Sequence, residues 1–182
     1  MRIISGKARG TKLYTLEGTN TRPTLDRVKE SIFNIIQNKL EDAVVLDLFA
    51  GSGAIGIEAL SRGAAKAILC DKSKEAIEII KKNIEKTHMN DKAQVLNMDF
   101  ESCLEKIKNK KFDIIYLDPP YETDYIYIAL QKIKALDIAK KESLIIIETD
   151  DEQRIEKEIQ NINIEIVDKR KYGRATIIFL KY

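Results

Sequence analysis

Residues 43–56 read Ala-Val-Val-Leu-Asp-Leu-Phe-Ala-Gly-Ser-Gly-Ala-Ile-Gly, and no other stretch limits the fold as strongly. Val44 to Leu46 are apolar and mostly β-branched, as expected of a strand buried on both faces. Gly51, Gly53 and Gly56 follow, and Ile55 to Leu60 then has the composition of a helix. Strand, glycine turn and helix N-terminus open a mononucleotide-binding βαβ unit, which commits the chain to a parallel sheet covered by helices.

The spacing Gly51-x-Gly53-x-x-Gly56, with Asp71 twenty residues after Gly51, also matches a dinucleotide fingerprint. Asp47 opposes that reading, because a carboxylate at the end of the strand would repel a pyrophosphate. It suits a ligand that is cationic nearby. S-adenosylmethionine (AdoMet) carries an ammonium and a sulfonium and no phosphate, so the loop favours AdoMet over NAD. A glycine turn closing an ordinary βα unit is the plain alternative.

A length of 182 residues fits one domain and leaves nothing over for a separate substrate domain. The expected division is a basic N-terminal extension over 1–21 and a catalytic core over 22–182. Cys70 and Cys103 form no CxxC pair and read as reduced core thiols of a cytoplasmic protein. His88 is the only histidine, which disfavours a His-based metal site or a Ser-His triad, so no metal is expected. No run is long and apolar enough for a membrane span. The net charge of +2 conceals an asymmetry: residues 1–29 carry +5 and the remainder −3.

Arg2 to Tyr14 reads as a short β-hairpin with Gly6 to Gly10 at its turn. Lys7, Arg9 and Lys12 give it charge of one sign, as phosphate contacts would need. Thr24 is the expected N-cap of a helix with Asp26 in its first turn. Val28, Ile32, Phe33, Ile35 and Ile36 form its apolar face, with Arg27, Lys29 and Glu30 pointing elsewhere. Strands are expected at 66–70, 93–98, 112–117 and 144–147. Of the helices between them, the first is capped by Ser73 and carries Ile77, Ile80 and Ile84, and the others lie near 100–107, 125–135 and 152–160. Alternating strands at 162–167 and 175–180, joined through Lys169 to Gly173, close the chain as an antiparallel hairpin. The fold class is therefore α/β: a Rossmann-like, mostly parallel seven-stranded sheet with helices on both faces, a C-terminal antiparallel hairpin and the short N-terminal hairpin. Asp47, Asp71, Asp99 and Asp118 fall at four successive strand ends and describe one site.

Asp118-Pro119-Pro120-Tyr121 directly follows an apolar strand. Two prolines remove two backbone donors and leave carbonyls that only accept. Asp118 adds an acceptor and Tyr121 a flat face, which suits an exocyclic amino group on a planar base. That amino group is a poor nucleophile while its lone pair is delocalised into the ring. Accepting both its hydrogens localises the pair for attack on a sulfonium methyl.

This motif, with Asp47-x-Phe49-Ala50-Gly51-Ser52-Gly53, resembles the paired signatures of AdoMet-dependent amino methyltransferases. Arg2-Ile3-Ile4-Ser5-Gly6, Arg9-Gly10-x-Lys12-Leu13 and Arg22-Pro23-Thr24-x-Asp26-Arg27-Val28-Lys29-Glu30 are similar to the N-terminal signatures of the RsmD-type bacterial methyltransferases, as is Lys171-Tyr172-Gly173 near the C-terminus. The resemblance implies methylation of N2 of a guanine in 16S ribosomal RNA, by a monomer acting on a small-subunit particle. It implies that Asp47 to Gly53 hold the methionine part of AdoMet and that Asp71, with Lys72 beside it, meets the ribose. Asp99 and Phe100 would sit by the adenine, and Arg22, Pro23 and Thr24 by the methionine carboxylate. Asp118 to Tyr121 would receive the base, and Arg2, Lys7, Arg9, Lys12 and Arg27 the RNA. Three competing readings are an adenine-N6 DNA methyltransferase, an NAD-dependent oxidoreductase and a non-catalytic RNA-binding assembly protein.

Overall fold

The computed structural model describes residues 1–16, 23–120 and 123–182, with the side chains of residues 23–25 left aside. Seven strands form one sheet: β1 (Val44–Asp47), β2 (Lys66–Asp71), β3 (Ala93–Asn97), β4 (Phe112–Leu117), β5 (Ala139–Thr149), β6 (Glu165–Tyr172) and β7 (Ala175–Lys181). Their order is β3-β2-β1-β4-β5-β7-β6. Strands β1 to β5 pair in parallel, whereas β7 runs antiparallel to both β5 and β6. The chain builds outward from β1 to β3 and then returns to place β4 beside β1. Between those two strands lies the switch point at which α/β sheets hold ligands.

Helices cover both faces. On one side α1 (Pro23–Ile35), α2 (Ala54–Ser61) and α3 (Lys74–Lys86) bury Ile32, Ile57 and Ile80 against the sheet. On the other, α4 (Phe100–Lys106), α5 (Tyr125–Ala135) and α6 (Glu152–Ile162) bury Leu104, Ile133 and Ile159. The isoleucines of α3 and α6 recur at helical spacing, and each helix is capped by a side chain accepting from the backbone, Ser73 from Ala76 and Asp151 from Arg154. Cys70 and Cys103 are free, buried thiols, and His88 is exposed just beyond α3.

Several expectations are corrected in detail. Helix α1 begins at Pro23, so Thr24 lies within the first turn and does not cap it; proline suits that first position because its missing N–H would have no partner there. Ile35 is exposed. Lys29 does not point away from the core but is 3 % exposed, because its spacing to Phe33 and Ile36 sets it on the buried stripe. The N-terminal hairpin forms a single antiparallel bridge, Arg2 with Lys12, and is tied to α2 as well as along its own backbone. Strand β5 begins at Ala139, with an irregularity opposite Phe112 to Ile114. Ile162 ends α6, β6 starts only at Glu165, and Lys169 to Tyr172 belong to that strand. The reason is Asn163, whose left-handed backbone (φ 58°) terminates the helix and turns the chain.

What anchors the arm is a carboxylate. Glu58 in α2 is fully buried and accepts from the Ile4 and Ser5 backbone N–H groups at 2.8 and 3.0 Å. It also pairs with Lys29 of α1 at 3.1 Å and with Arg62 at 2.7 Å. Ser61 continues the contact, accepting from Ala8 N–H through its hydroxyl and from Lys7 N–H through its carbonyl. The arm then returns along α3, where Asn83 bonds both ways with the Tyr14 backbone.

Candidate active site

A cavity of about 640 Å³ opens at the carboxyl ends of β1, β2, β3 and β4. Phe49, Gly51, Asp71, Lys72, Asp99, Phe100, Asp118, Pro119 and Pro120, all singled out in the sequence, line it. Volume and lining are those of a small-molecule site.

Each glycine of the loop has its own cause. Gly51 faces the cavity with φ 54°, and a Cβ there would meet nothing within 4 Å, so the bare backbone is left for a ligand. Gly56 serves packing: a Cβ would come within 2.8 Å of Leu69, and only glycine brings α2 this close to β2. Ala50, Ser52 and Gly53 shape the turn behind this wall. Ala50 N–H reaches the Cys70 carbonyl at 2.8 Å, Gly53 N–H the Ala50 carbonyl at 2.7 Å, and the Ser52 carbonyl accepts from Asn83 at 2.9 Å.

Asp71 and Asp99 do structural work while facing the cavity. Asp71 accepts from Gly51 N–H and Ser73 N–H, both at 2.9 Å, which fixes the loop relative to β2. Its carboxylate retains lone pairs for further donors. Asp99 caps α4 through Ser102, and those hydrogen bonds hold its carboxyl below the usual range.

Asp47 is placed differently from the sequence expectation. It is 1 % exposed, does not line the cavity, and accepts from Gly56 N–H at 3.1 Å beneath the loop. Burial pushes its carboxyl up to about 7, with the Gly56 bond acting in the opposite direction and Asp71 adding to the rise. The N–H that a pyrophosphate would seek at this helix end is thus already taken by an acid. That arrangement counts against the dinucleotide reading.

Phe49, Phe100 and Tyr125 form the apolar wall. Phe49 and Tyr125 are stacked at 6.3 Å, and Phe100 lies tilted 5.3 Å from Phe49 and 4.9 Å from Tyr125. Tyr125 was missed in the sequence, where it read only as the start of a helix. Two flat rings and a third at an angle, rimmed by carboxylates and open backbone, accommodate an adenosine with hydroxyls to donate.

Asp118 follows β4 and is half-buried in the cavity wall beside buried Pro119 and exposed Pro120. Its carboxyl is held well above the ordinary range, first by burial, then by Glu148 and Asp47. Glu148 also went unrecognised from sequence, although a glutamate ending the run Leu-Ile-Ile-Ile was a visible irregularity. It accepts from the Tyr116 hydroxyl at 2.6 Å. Burial raises its carboxyl, and that hydroxyl opposes the rise.

Arg22 and Tyr121 lie outside the described residues, and Pro23 and Thr24 are described only as the opening of α1. Of the cations assigned to RNA, Arg2, Arg9 and Arg27 meet in a cleft of about 420 Å³ between the arm and α1, together with Asp26 and Glu30. Lys7 and Lys12 are exposed outside that cleft.

Over residues 1–181 the chain matches the family described as Conserved hypothetical protein 95. Ribosomal RNA small subunit methyltransferase D of Escherichia coli K12 is 36 % identical over 150 residues, 82 % of this chain and 75 % of that one. The protein of the same name from Haemophilus influenzae is 36 % identical over 152 residues, 82 % of this chain and 79 % of its own. The chain belongs to this family, the RsmD-type methyltransferases. The solved structure of Escherichia coli yhhF agrees with the fold throughout, at 31 % identity and a TM-score of 0.84, covering 100 % of this chain and 97 % of that one. As a member, the protein is an AdoMet-dependent methyltransferase, and the cavity residues fit that cofactor.

Proposed function

We propose that the protein transfers the methyl group of AdoMet to the exocyclic N2 amino group of a guanine in 16S ribosomal RNA. The observation that carries this reading is the Asp118 carboxyl beside Pro119 and Pro120, whose backbone has no N–H to donate, set at the switch point beside an adenosine-sized cavity. The names of the RsmD-family relatives, ribosomal RNA small subunit methyltransferase D, support ribosomal RNA as the substrate. The assembled small-subunit particle as substrate, a monomeric enzyme and a cytoplasmic location belong to the same proposal.

When bound, AdoMet supplies an electrophilic methyl on its sulfonium. Phe100 and Asp99 would flank its adenine, Asp71 with Lys72 would meet the ribose, and the Phe49 to Gly53 loop the methionine part. Arg22 and the first turn of α1, through Pro23 and Thr24, would face the methionine carboxylate. Asp118 and the Pro119 carbonyl would accept from the guanine amino group while Tyr121 stacks on the ring. The nitrogen so held would take that methyl as its bond to sulfur breaks, and the amine would then lose one proton. Labelled AdoMet, incubated with free 16S RNA or with undermodified small subunits and followed by mapping of the label, tests the assignment. Label at an adenine, or none on RNA, would overturn it.

Asp47 makes cofactor binding pH-dependent. Its carboxyl ionises near 7, and the cation of AdoMet favours the ionised form. Affinity should tighten as pH rises through about 7, by at most about tenfold per unit. Calorimetric titration of Asp47→Asn should show a shallower profile there than wild type. The raised carboxyl also costs the free fold stability as pH rises from the unfolded value of about 3.9 to 7. Asp47→Asn should therefore melt higher than wild type at pH 8.

Arg2, Lys7, Arg9, Lys12 and Arg27 would hold the RNA backbone. Neutralising Lys7, Arg9 and Lys12 together should leave AdoMet binding intact, weaken RNA binding and flatten its salt dependence by roughly one unit of slope per lost contact. Unchanged RNA affinity and salt slope would leave the arm with a structural role alone.

A further inference from the structure

We propose that Glu148 is a positioning residue of the methyl-transfer site, forming with Asp118 a proton-holding pair whose charge the Tyr116 hydroxyl governs. The inference rests on the amino-methylation reading above, but its evidence is the geometry of two strands. The parallel register of β4 and β5 matches Tyr116 with Ile146 and Leu117 with Ile147. Continued one step, that register sets Asp118 opposite Glu148, and the Glu148 charge acts on the Asp118 carboxyl. Alternation then sets Tyr116, Asp118 and Glu148 on one face of the sheet. Asp47 joins them, since it is the partner of Tyr116 across β1 and β4.

Among the described residues, the titratable groups facing the pair are Tyr116 from β4 and Asp47 from β1, and neither Asp118 nor Glu148 forms an ion pair with a lysine or arginine. Two neighbouring carboxyls without a cation do not both ionise readily, so they titrate as a unit. The 2.6 Å hydrogen bond from Tyr116 favours charge on Glu148. The shared proton is thereby directed to Asp118.

This matters for the reaction because Asp118 must be ionised to accept from the amino group. Arrival of a cationic cofactor favours loss of the pair's proton. After nitrogen–carbon bond formation and carbon–sulfur cleavage, the amine's surplus proton passes to the Asp118 carboxylate, and the pair shares it until solvent removes it. Glu148 touches neither reacting atom. It acts through Asp118.

Two isosteric variants test the idea, Glu148→Gln and Tyr116→Phe. Glu148→Gln removes the like charge. Tyr116→Phe removes the donor that favours charge on Glu148, moving the shared proton there. Both should ionise Asp118 more easily. Single-turnover methyl transfer, measured against pH under saturating AdoMet, should show the acidic limb displaced to lower pH by about one unit or more in each variant. Carboxyl ¹³C NMR of the free proteins should show the Asp118 titration moving the same way. A limb and a carboxyl titration that both stay in place in Glu148→Gln would overturn the proposal, even if the rate fell at every pH. If the carboxyl titration moves but even the wild type transfers no methyl to RNA, the carboxyl coupling stands and the substrate reading falls.

Discussion

Asp118→Ala is expected to lower kcat for methyl transfer by roughly 10²–10³, the effect of losing one preorganised polar partner of a transition state. The carboxylate accepts most strongly as the amino nitrogen becomes tetrahedral, so its contribution belongs to the transition state more than to substrate binding. KM for RNA should change little by comparison. AdoMet affinity should hold within a few fold, because the loop, Asp71 and the aromatic wall carry most of that ligand. Stability supplies the control. The Asp118 carboxyl is held well above its ordinary value in the fold, so ionising it costs stability at neutral and higher pH, and its removal should not lower the melting temperature there. A variant that melts normally, binds AdoMet and still transfers methyl at the wild-type rate would exclude Asp118 from the chemistry.

The largest stability effect is expected at a residue far from the reacting atoms. Glu58→Ala removes a fully buried carboxylate and leaves Lys29, itself 3 % exposed, without its counter-charge. Burial already lowers the Lys29 ammonium from its ordinary value, with Glu58 the main opposing influence. Breaking such a pair from one side typically costs about 3–5 kcal/mol. The Ile4 and Ser5 N–H groups lose their acceptor as well, so the arm should detach before the sheet unfolds. Urea unfolding should report the lost stability, and hydrogen exchange should quicken at Ile4 and Ser5 first. Protection there equal to wild type would mean that the hairpin holds itself in place. Because the arm carries Arg2 and Arg9, partial detachment should also weaken RNA binding, which links a packing contact to function.

Much of this architecture was legible one element at a time. The β-branched runs, the isoleucines at helical spacing and the cap at Ser73 are local properties, each decided within a few residues of chain. The glycine loop was legible for the same reason at Gly51, whose positive φ is a demand of the turn itself, whereas the packing that Gly56 serves is against Leu69 of the neighbouring strand β2. Asp118-Pro119-Pro120 was legible because removing backbone donors is a covalent fact about proline. The hairpin arm was only half legible, as its charges are visible in the sequence but the carboxylate that seats it lies more than fifty residues away.

By itself, then, the sequence determined the alternation of strands and helices, the parallel sheet with its antiparallel close, the loop that suits AdoMet and the acceptor motif for an amino group. Tertiary structure alone decided which side chains meet. The register of β4 with β5 brings Glu148 beside Asp118 and under the Tyr116 hydroxyl. The crossing of α1 over α2 turns Lys29 from an apparent surface residue into the partner of Glu58. The seat of α2 against β2 directs Asp47 to Gly56 N–H and away from the cavity. Periodicity within an element settles which face is buried, but the identity of the neighbour across that face depends on contacts between segments remote in the chain. Burial among those contacts is what then moves the carboxyls of Asp47, Asp118 and Glu148 from their ordinary range.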